Sequence, residues 1–224
     1  MNQKKHTGKL RILLCGQKWI GAQVFKALYH SEDTEIVAVS SPDGTDEHPD
    51  RLTRQAELYG IDRITAGTLT AMNVPEGTDL IVCAHSHDFI GEKTRMRATY
   101  GGIGYHPSLL PLHRGKDAIR WAIKMGDRIT GGTVYRLSNQ VDGGEILDQA
   151  WCFIRPKDDA KELWRRDIGP MGVELLTRTV ERIAQQGHLY GQEQDEALAT
   201  WEPSMDAPPV HRPDLIMLGH DPAA

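Results

Sequence analysis

Short apolar runs alternate with amphipathic stretches through the first half of this chain, a rhythm that few folds accommodate. Leu10-Arg11-Ile12-Leu13-Leu14-Cys15 ends at Gly16 and suits a strand buried on both faces. Trp19 to His30 then places Ile20, Val24, Phe25 and Leu28 near helical period. Glu35 to Ser40 forms a second strand, broken by Ser41-Pro42-Asp43-Gly44. A helix from about Asp50 to Tyr59 follows, with Gly60 in the position of a left-handed C-terminal residue. Asp79 to Ala84 is a further buried strand, and Glu92 to Tyr100 a helix stopped by Gly101-Gly102. Strand–helix repetition of this kind predicts an α/β fold with a mostly parallel central sheet and helices on both faces.

The second half changes character. Gly115 to Met125 reads as a helix with Ala118, Trp121, Ala122 and Met125 on one side. Thr130 to Leu137 and Glu145 to Ile154 read as longer strands. Asp158 to Gln186 reads as helical, in two pieces divided at Gly169-Pro170, because proline removes a helix donor. Five of the twelve prolines fall from Pro203 onward, so an extended or partly disordered arm is expected there. The division is therefore a flexible N-terminus at 1–9, a single α/β domain at 10–190 and a proline-rich extension at 191–224. No internal repeat is present.

A chain of 224 residues suits one domain and can build a core without disulfides or metals. Its net charge of −5 disfavours a non-specific phosphate-backbone binder. Cys15, Cys83 and Cys152 each lie in apolar runs with no CxxC spacing, as buried free thiols in a reducing compartment would. The N-terminus is polar, and the apolar stretch after it is too short for a leader or a membrane span. A cytoplasmic protein without a membrane partner is the expectation.

Three clusters fall beyond the carboxyl ends of strands, where open α/β sheets collect ligands. Gly16-Gln17-Lys18-Trp19-Ile20-Gly21 lacks both the dinucleotide and the P-loop glycine patterns, so it reads as a tight turn more than a phosphate cradle. His85-Ser86-His87-Asp88 contains a His-x-His pair, yet none of the common zinc spacings surrounds it. A pocket wall is the better reading, and no metal is expected. The third cluster is Gly104-Tyr105-His106-Pro107-Ser108-Leu109-Leu110-Pro111, followed by Leu112-His113-Arg114-Gly115. A histidine between a strand end and a proline-fixed turn can exchange protons with a ligand. Asp142, 36 residues later and before Gly143-Gly144, could orient that imidazole. By themselves a single His and a single Asp are more often structural.

The segment from Tyr105 to Gly115 resembles the HPSLLP signature of the folate-dependent formyltransferases, and Val141 to Leu147 resembles that family's second motif at matching separation. Gln194 to Trp201 is similar to the segment that closes the catalytic domain in the transfer-RNA and sugar branches. The resemblance runs from Leu10 to about Trp201 and is most specific between Gly101 and Asp148. It implies a Rossmann-like formyltransferase fold and 10-formyltetrahydrofolate as formyl donor. His106 would act on the formyl group, with Asp142 orienting it or an ordered water that helps transfer the proton. Asn139, Gln140, Val141 and Gly143 would contact the pterin on one side, and His87, Asp88, Phe89 and Ile90 would line the other. Gly104, Tyr105, Ser108, Arg114 and Gly115 would shape the acceptor side.

One departure stands out. Transferases of the family carry Asn two residues before the histidine, as a donor to the developing oxyanion, and here that residue is Gly104. Losing such a donor costs about 3 kcal/mol of transition-state stabilisation if nothing replaces it. The hydrolase domain of 10-formyltetrahydrofolate dehydrogenase also lacks this Asn, and the stretches Trp121–Asp127 and Leu163–Gly172 resemble it. The expected activity is formyl transfer to an amine of a small molecule such as a nucleotide sugar. Direct hydrolysis to formate is the alternative, and a silent folate-binding protein or a metal-dependent hydrolase are the outsiders. A second explanation for Gly104 places His85 or His87 in the space beside it. Transfer RNA is disfavoured by the acidic charge and by the 23 residues after Trp201, where the transfer-RNA enzymes carry a β-barrel domain. Trp201, Val210, Leu215, Ile216 and Leu218 offer an apolar surface for a homodimer.

Overall fold

The computed structural model describes residues 8–45, 48–86 and 88–206. Strands β1 (Leu10–Gly16), β2 (Thr34–Ser41), β3 (Arg63–Thr65), β4 (Leu80–Ala84), β5 (Gly102–His106), β6 (Ile129–Arg136) and β7 (Ile146–Phe153) form one sheet. Their order is β3-β2-β1-β4-β5-β6-β7. The first five run parallel, and β6 and β7 are antiparallel to their neighbours. The chain leaves β1 toward one edge and returns to β4 on its other side. That switch opens a crevice at the carboxyl ends of β1 and β4, where both cavities described below have walls.

Period two sorts the strand side chains between two cores. Leu10, Ile12 and Leu14 of β1 join Leu80 and Val82 of β4 on one face, while Leu13, Cys15 and Ile81 point to the other. An irregularity in the β1–β2 register between Ile12 and Leu13 lets Ile36 and Val39 of β2 face the same side despite their odd spacing. The first face is covered by α1 (Lys18–Tyr29), α2 (Arg51–Tyr59) and α6 (Gly169–Gln186), which bury Val24, Phe25, Leu28, Leu52, Leu175, Leu176 and Val180 against it. The second face is covered more thinly. Leu69, Val74, Ile90 and Ala98 close it from irregular segments, beside the single-turn helix α3 (Glu92–Arg95).

Local chemistry accounts for most helix ends. Asp50 caps α2 by accepting from the Leu52 amide at 2.8 Å, and Gly60 ends it with φ 65°. Helix α4 (Ala118–Met125) begins three residues later than its apolar pattern suggests, because Gly115 and Asp117 have φ of 92° and 66°. Likewise, the helix expected from Glu92 to Tyr100 is a single turn followed by bends. The break expected at Gly169-Pro170 does not occur. Helix α5 (Ala160–Leu163) passes into one wide π turn, Trp164–Ile168, and that turn runs directly into α6. Pro170 sits in the first turn of α6, where a missing donor costs little.

Among the described residues no helix is long and apolar enough to cross a membrane. Cys15, Cys83 and Cys152 are free thiols. The neighbouring Cys83 thiol, to which it is hydrogen-bonded, and then burial push the Cys15 thiol well above its usual range. Residues 1–7 and 207–224, including Val210, Leu215, Ile216 and Leu218 of the expected dimer surface, lie outside the described residues.

Candidate active site

His106 closes β5 and Asp142 lies in the β6–β7 turn, and the antiparallel pairing of β5 with β6 brings them together. Both side chains are largely buried, with His106 Nδ1 3.5 Å from Asp142 Oδ2. The other imidazole nitrogen, Nε2, lies 2.7 Å from the carbonyl oxygen of His113. A carbonyl only accepts, so Nε2 carries a hydrogen, and Nδ1 is the nitrogen that faces the carboxylate. A proton arriving at Nδ1 therefore lands between imidazole and carboxylate, where its charge is compensated.

Asp142 is fastened at both carboxylate oxygens and at its carbonyl. Oδ1 accepts from the Tyr135 hydroxyl at 2.6 Å and Oδ2 from the Gly115 amide at 2.8 Å. Its carbonyl accepts from Gln194 Nε2 at 2.7 Å, which also donates to the Gly144 carbonyl at 2.7 Å. The backbone at Asp142 is left-handed, φ 50°, and it shares this with Lys18, His85, His113 and Asp117. Lys18, His85, Asp117 and Asp142 all line cavities, so the uncommon backbone conformations gather where ligands would sit.

The His–Asp pair opens into a cavity of about 630 Å³. Of the expected site residues, Gly104, Tyr105, His106, Gly115, Asp88, Phe89, Ile90, Asn139, Gln140, Val141 and Asp142 line it. Its mouth carries exposed Phe89 and Val141, and Leu137 and Tyr135 form its inner wall. Apolar Phe89, Ile90, Leu137 and Val141 alternate with polar Ser138, Asn139 and Gln140 in its walls, a mixture that fits a flat heteroaromatic ring with hydrogen-bonding edges such as a pterin. Asp88 lines the cavity with its carboxylate already committed: Ser40 and Ser86 hydroxyls donate to it at 2.6 and 3.2 Å, and the Gly67 amide at 2.5 Å. It ties the 86–90 loop to β2. His87 lies outside the described residues.

Two expectations for the acceptor side need correction. Arg114 is 1% exposed and faces neither cavity. Its guanidinium donates to Gln194 Oε1 at 2.8 and 3.1 Å and to both oxygens of Glu196 at 2.6 and 2.9 Å. It lies 5.6 Å from the Trp201 ring centroid. Contact with Arg114 holds the Glu196 carboxyl below its ordinary range. Arg114 is thus a strut between the signature segment and residues 194–201. Ser108 is wholly buried and donates to the Leu112 carbonyl at 2.6 Å, holding the turn instead of lining the cavity. A Cβ on half-buried Gly143 would meet the Gln140 side chain at 2.7 Å, so glycine lets the Gln140 side chain pack close to the backbone there.

His85 and Gly104 line the same cavity. A Cβ on Gly104 would lie 3.1 Å from Leu137 Cδ2 and 3.3 Å from the Tyr135 ring. Tyr135, Lys116 and Asp117 line the cavity without having been singled out from the sequence. Among the described residues no group of three His, Cys, Asp or Glu side chains could hold a metal ion.

A second cavity of about 1010 Å³ adjoins the first, and His85 lines both. Lys18, Trp19, Arg51, Trp164 and Arg165 are in its walls. The turn leading into α1 is tight because strands β1 and β4 converge there: a Cβ on Gly16 would meet the Ala84 carbonyl oxygen. The first amide of α1, on Lys18, already donates to Asp50 Oδ2 at 2.8 Å.

Residues 12–179 match the family model described as formyl transferase. Among curated proteins, the chain is 32% identical over 204 residues to mitochondrial 10-formyltetrahydrofolate dehydrogenase of Mus musculus, covering 87% of this chain and 22% of that protein. It is 28% identical over 192 residues to methionyl-tRNA formyltransferase of Corynebacterium diphtheriae, covering 79% and 61%. The chain thus spans about a fifth of the length of the dehydrogenases it matches. Among solved structures, phosphoribosylglycinamide formyltransferase from Anaplasma phagocytophilum aligns with TM-score 0.68 at 26% identity, covering 86% of this chain and 98% of that one. HypX from Aquifex aeolicus in complex with tetrahydrofolic acid aligns with TM-score 0.62 at 22% identity, covering 88% and 30%, a likeness of fold. Fold, His–Asp site and these likenesses agree: the chain belongs to the formyl transferase family.

Proposed function

We propose that this protein transfers the formyl group of 10-formyltetrahydrofolate to an amine of a small molecule bearing an anionic group, such as a nucleotide sugar. The observation that carries the reading is the junction of the two cavities beside the His106–Asp142 pair. The smaller has the mixed walls and apolar mouth for a pterin. The larger offers Lys18, Arg51 and Arg165 with the Trp19 and Trp164 rings to an anionic, partly planar acceptor. The donor, when bound, supplies an activated formyl group on an amine that can leave. His106 Nδ1 takes the proton released as the acceptor nitrogen bonds to the formyl carbon, and returns it to the departing nitrogen. Asp142 stabilises the imidazolium between those events, and the His113 carbonyl keeps Nε2–H out of the exchange.

Hydrolysis is the second reading, favoured by Gly104, which supplies no side-chain donor to the reacting carbonyl. Tetrahydrofolate release from 10-formyltetrahydrofolate, measured with and without amino-sugar nucleotides, separates the two, with His106→Ala as control. Release that depends on the amine supports transfer. Equal release without amine, abolished in the variant, replaces it by hydrolysis. No release and no folate binding in either condition defeats both.

A further inference from the structure

Gly104 of β5 and Tyr135 of β6 are direct partners across the antiparallel pair. A Cβ on Gly104 would lie 3.1 Å from Leu137 Cδ2 and 3.3 Å from both Cε1 and Cζ of Tyr135, so a side chain at 104 would press on the phenol ring and on Leu137. Glycine at one position and a large ring opposite are thus a single packing solution. The ring delivers its hydroxyl to Asp142 Oδ1 at 2.6 Å. Burial first, and then the Asp142 charge, push the Tyr135 phenol well above its ordinary range, so it is a donor throughout the neutral region.

Asp142 depends on that donor. Its backbone is left-handed, an uncommon conformation for aspartate, and the carboxylate must present one oxygen to His106 Nδ1, 3.5 Å away. Turning about Cβ–Cγ would exchange the oxygens unless each is held. The Gly115 amide holds Oδ2 at 2.8 Å and the Tyr135 hydroxyl holds Oδ1. We propose that Tyr135 is a positioning residue for the reaction, fixing the Asp142 carboxylate toward His106, and that residue 104 is glycine to admit its ring. This rests on the formyl-transfer reading above.

The test uses the full chain with Tyr135→Phe, Gly104→Ala and the double variant. Turnover of 10-formyltetrahydrofolate is measured with and without amino-sugar nucleotides, tetrahydrofolate affinity by calorimetry, and folding by thermal melting. Tyr135→Phe keeps the ring and removes one hydrogen bond to a charged group, so kcat falls about 10- to 100-fold. The folate Kd stays within about twofold, a split that a merely structural ring would not produce. Gly104→Ala keeps the hydroxyl but presses on the ring and lowers kcat by the same route, and the double variant is no worse than the poorer single one. Wild-type kcat in Tyr135→Phe, or in folded Gly104→Ala, overturns the proposal and leaves the formyl reading standing. Loss of kcat and folate affinity together, with a lower melting point, reduces Tyr135 to packing and overturns it as well. A wild-type protein with neither turnover nor folate binding in any condition overturns the formyl reading and the proposal with it.

Discussion

Replacing Arg114 by methionine separates two roles that a residue in the signature segment could have. As a strut, the guanidinium satisfies Gln194 Oε1 with two hydrogen bonds and grips both oxygens of Glu196. The Glu196 side chain is 61% exposed, so water replaces its lost partner and that half of the contact contributes little. Gln194 is 8% exposed and cannot rehydrate as easily. Leaving its buried acceptor without a donor costs about 1–3 kcal/mol. Methionine fills much of the volume and removes a desolvated charge, which offsets part of the loss. A net destabilisation of about 1–2 kcal/mol corresponds to a melting point lower by about 2–8 °C at this chain length. Gln194 also holds the Asp142 and Gly144 carbonyls, so kcat falls with the melting point while the KM for the amine stays where it was. Calorimetric melting and steady-state kinetics on the same preparation read both. An unchanged melting point with a raised acceptor KM would refute this account and return Arg114 to the acceptor side.

Removing the charge of Asp142 with Asp142→Asn, or the imidazole with His106→Ala, is expected to lower kcat by about 10²- to 10⁴-fold with little change in folate affinity; loss of affinity alone would contradict a proton-transfer role. The phenols of Tyr105 and Tyr135 are both raised, chiefly by burial, with Cys152 and Asp142 adding to it respectively. Their contribution to stability is complete below about pH 10 and is lost as pH rises above it, so alkaline difference spectroscopy should show them ionising only as the protein unfolds. Reversible ionisation of all six tyrosines in the folded protein would be inconsistent with that. Asp158, hydrogen-bonded to Arg166 at 2.5 and 2.7 Å, is held down to about 2 by that contact. Its contribution is present above about pH 4 and lost as pH falls toward 2, so Asp158→Asn should flatten the acid side of the stability curve, measured by urea melts from pH 2 to pH 5.

Much of this architecture is written in local chemistry. The buried strands β1, β2 and β4 are continuous apolar runs, and α2 is bracketed by Asp50 and Gly60, whose conformations need no distant partner. His106 and Asp142 were legible through their turns, a proline-fixed one and a glycine-rich one. What escaped depends on contacts far apart in sequence. Strand β3 is three residues with one partly buried apolar side chain, too short for any period to register. The role of Arg114 is decided by Gln194, 80 residues away. Tyr135 looks like any strand aromatic until the β5–β6 register sets it opposite Gly104. Asp88 looks like a free pocket carboxylate until Ser40 and Gly67 close on it. Gly169-Pro170 reads as a break because propensity assumes α geometry on both sides.

The wide turn at Trp164–Ile168 has a consequence for how this site can vary. A π turn takes one residue more than an α turn, and each helical residue advances the side chains by about 100°. That extra residue lets Leu163 before it and Leu175 and Leu176 after it all face the interior, while Trp164 and Arg165 face the larger cavity. It also leaves the Ile168 carbonyl where the Tyr105 hydroxyl donates to it at 2.7 Å. Deleting one residue would restore a regular helix and swing everything ahead of it by about a quarter turn relative to α6. The ring and the cation at the cavity wall would then change places with core residues. Chain length in this stretch, more than the identity of any residue in it, sets the shape of the cavity wall.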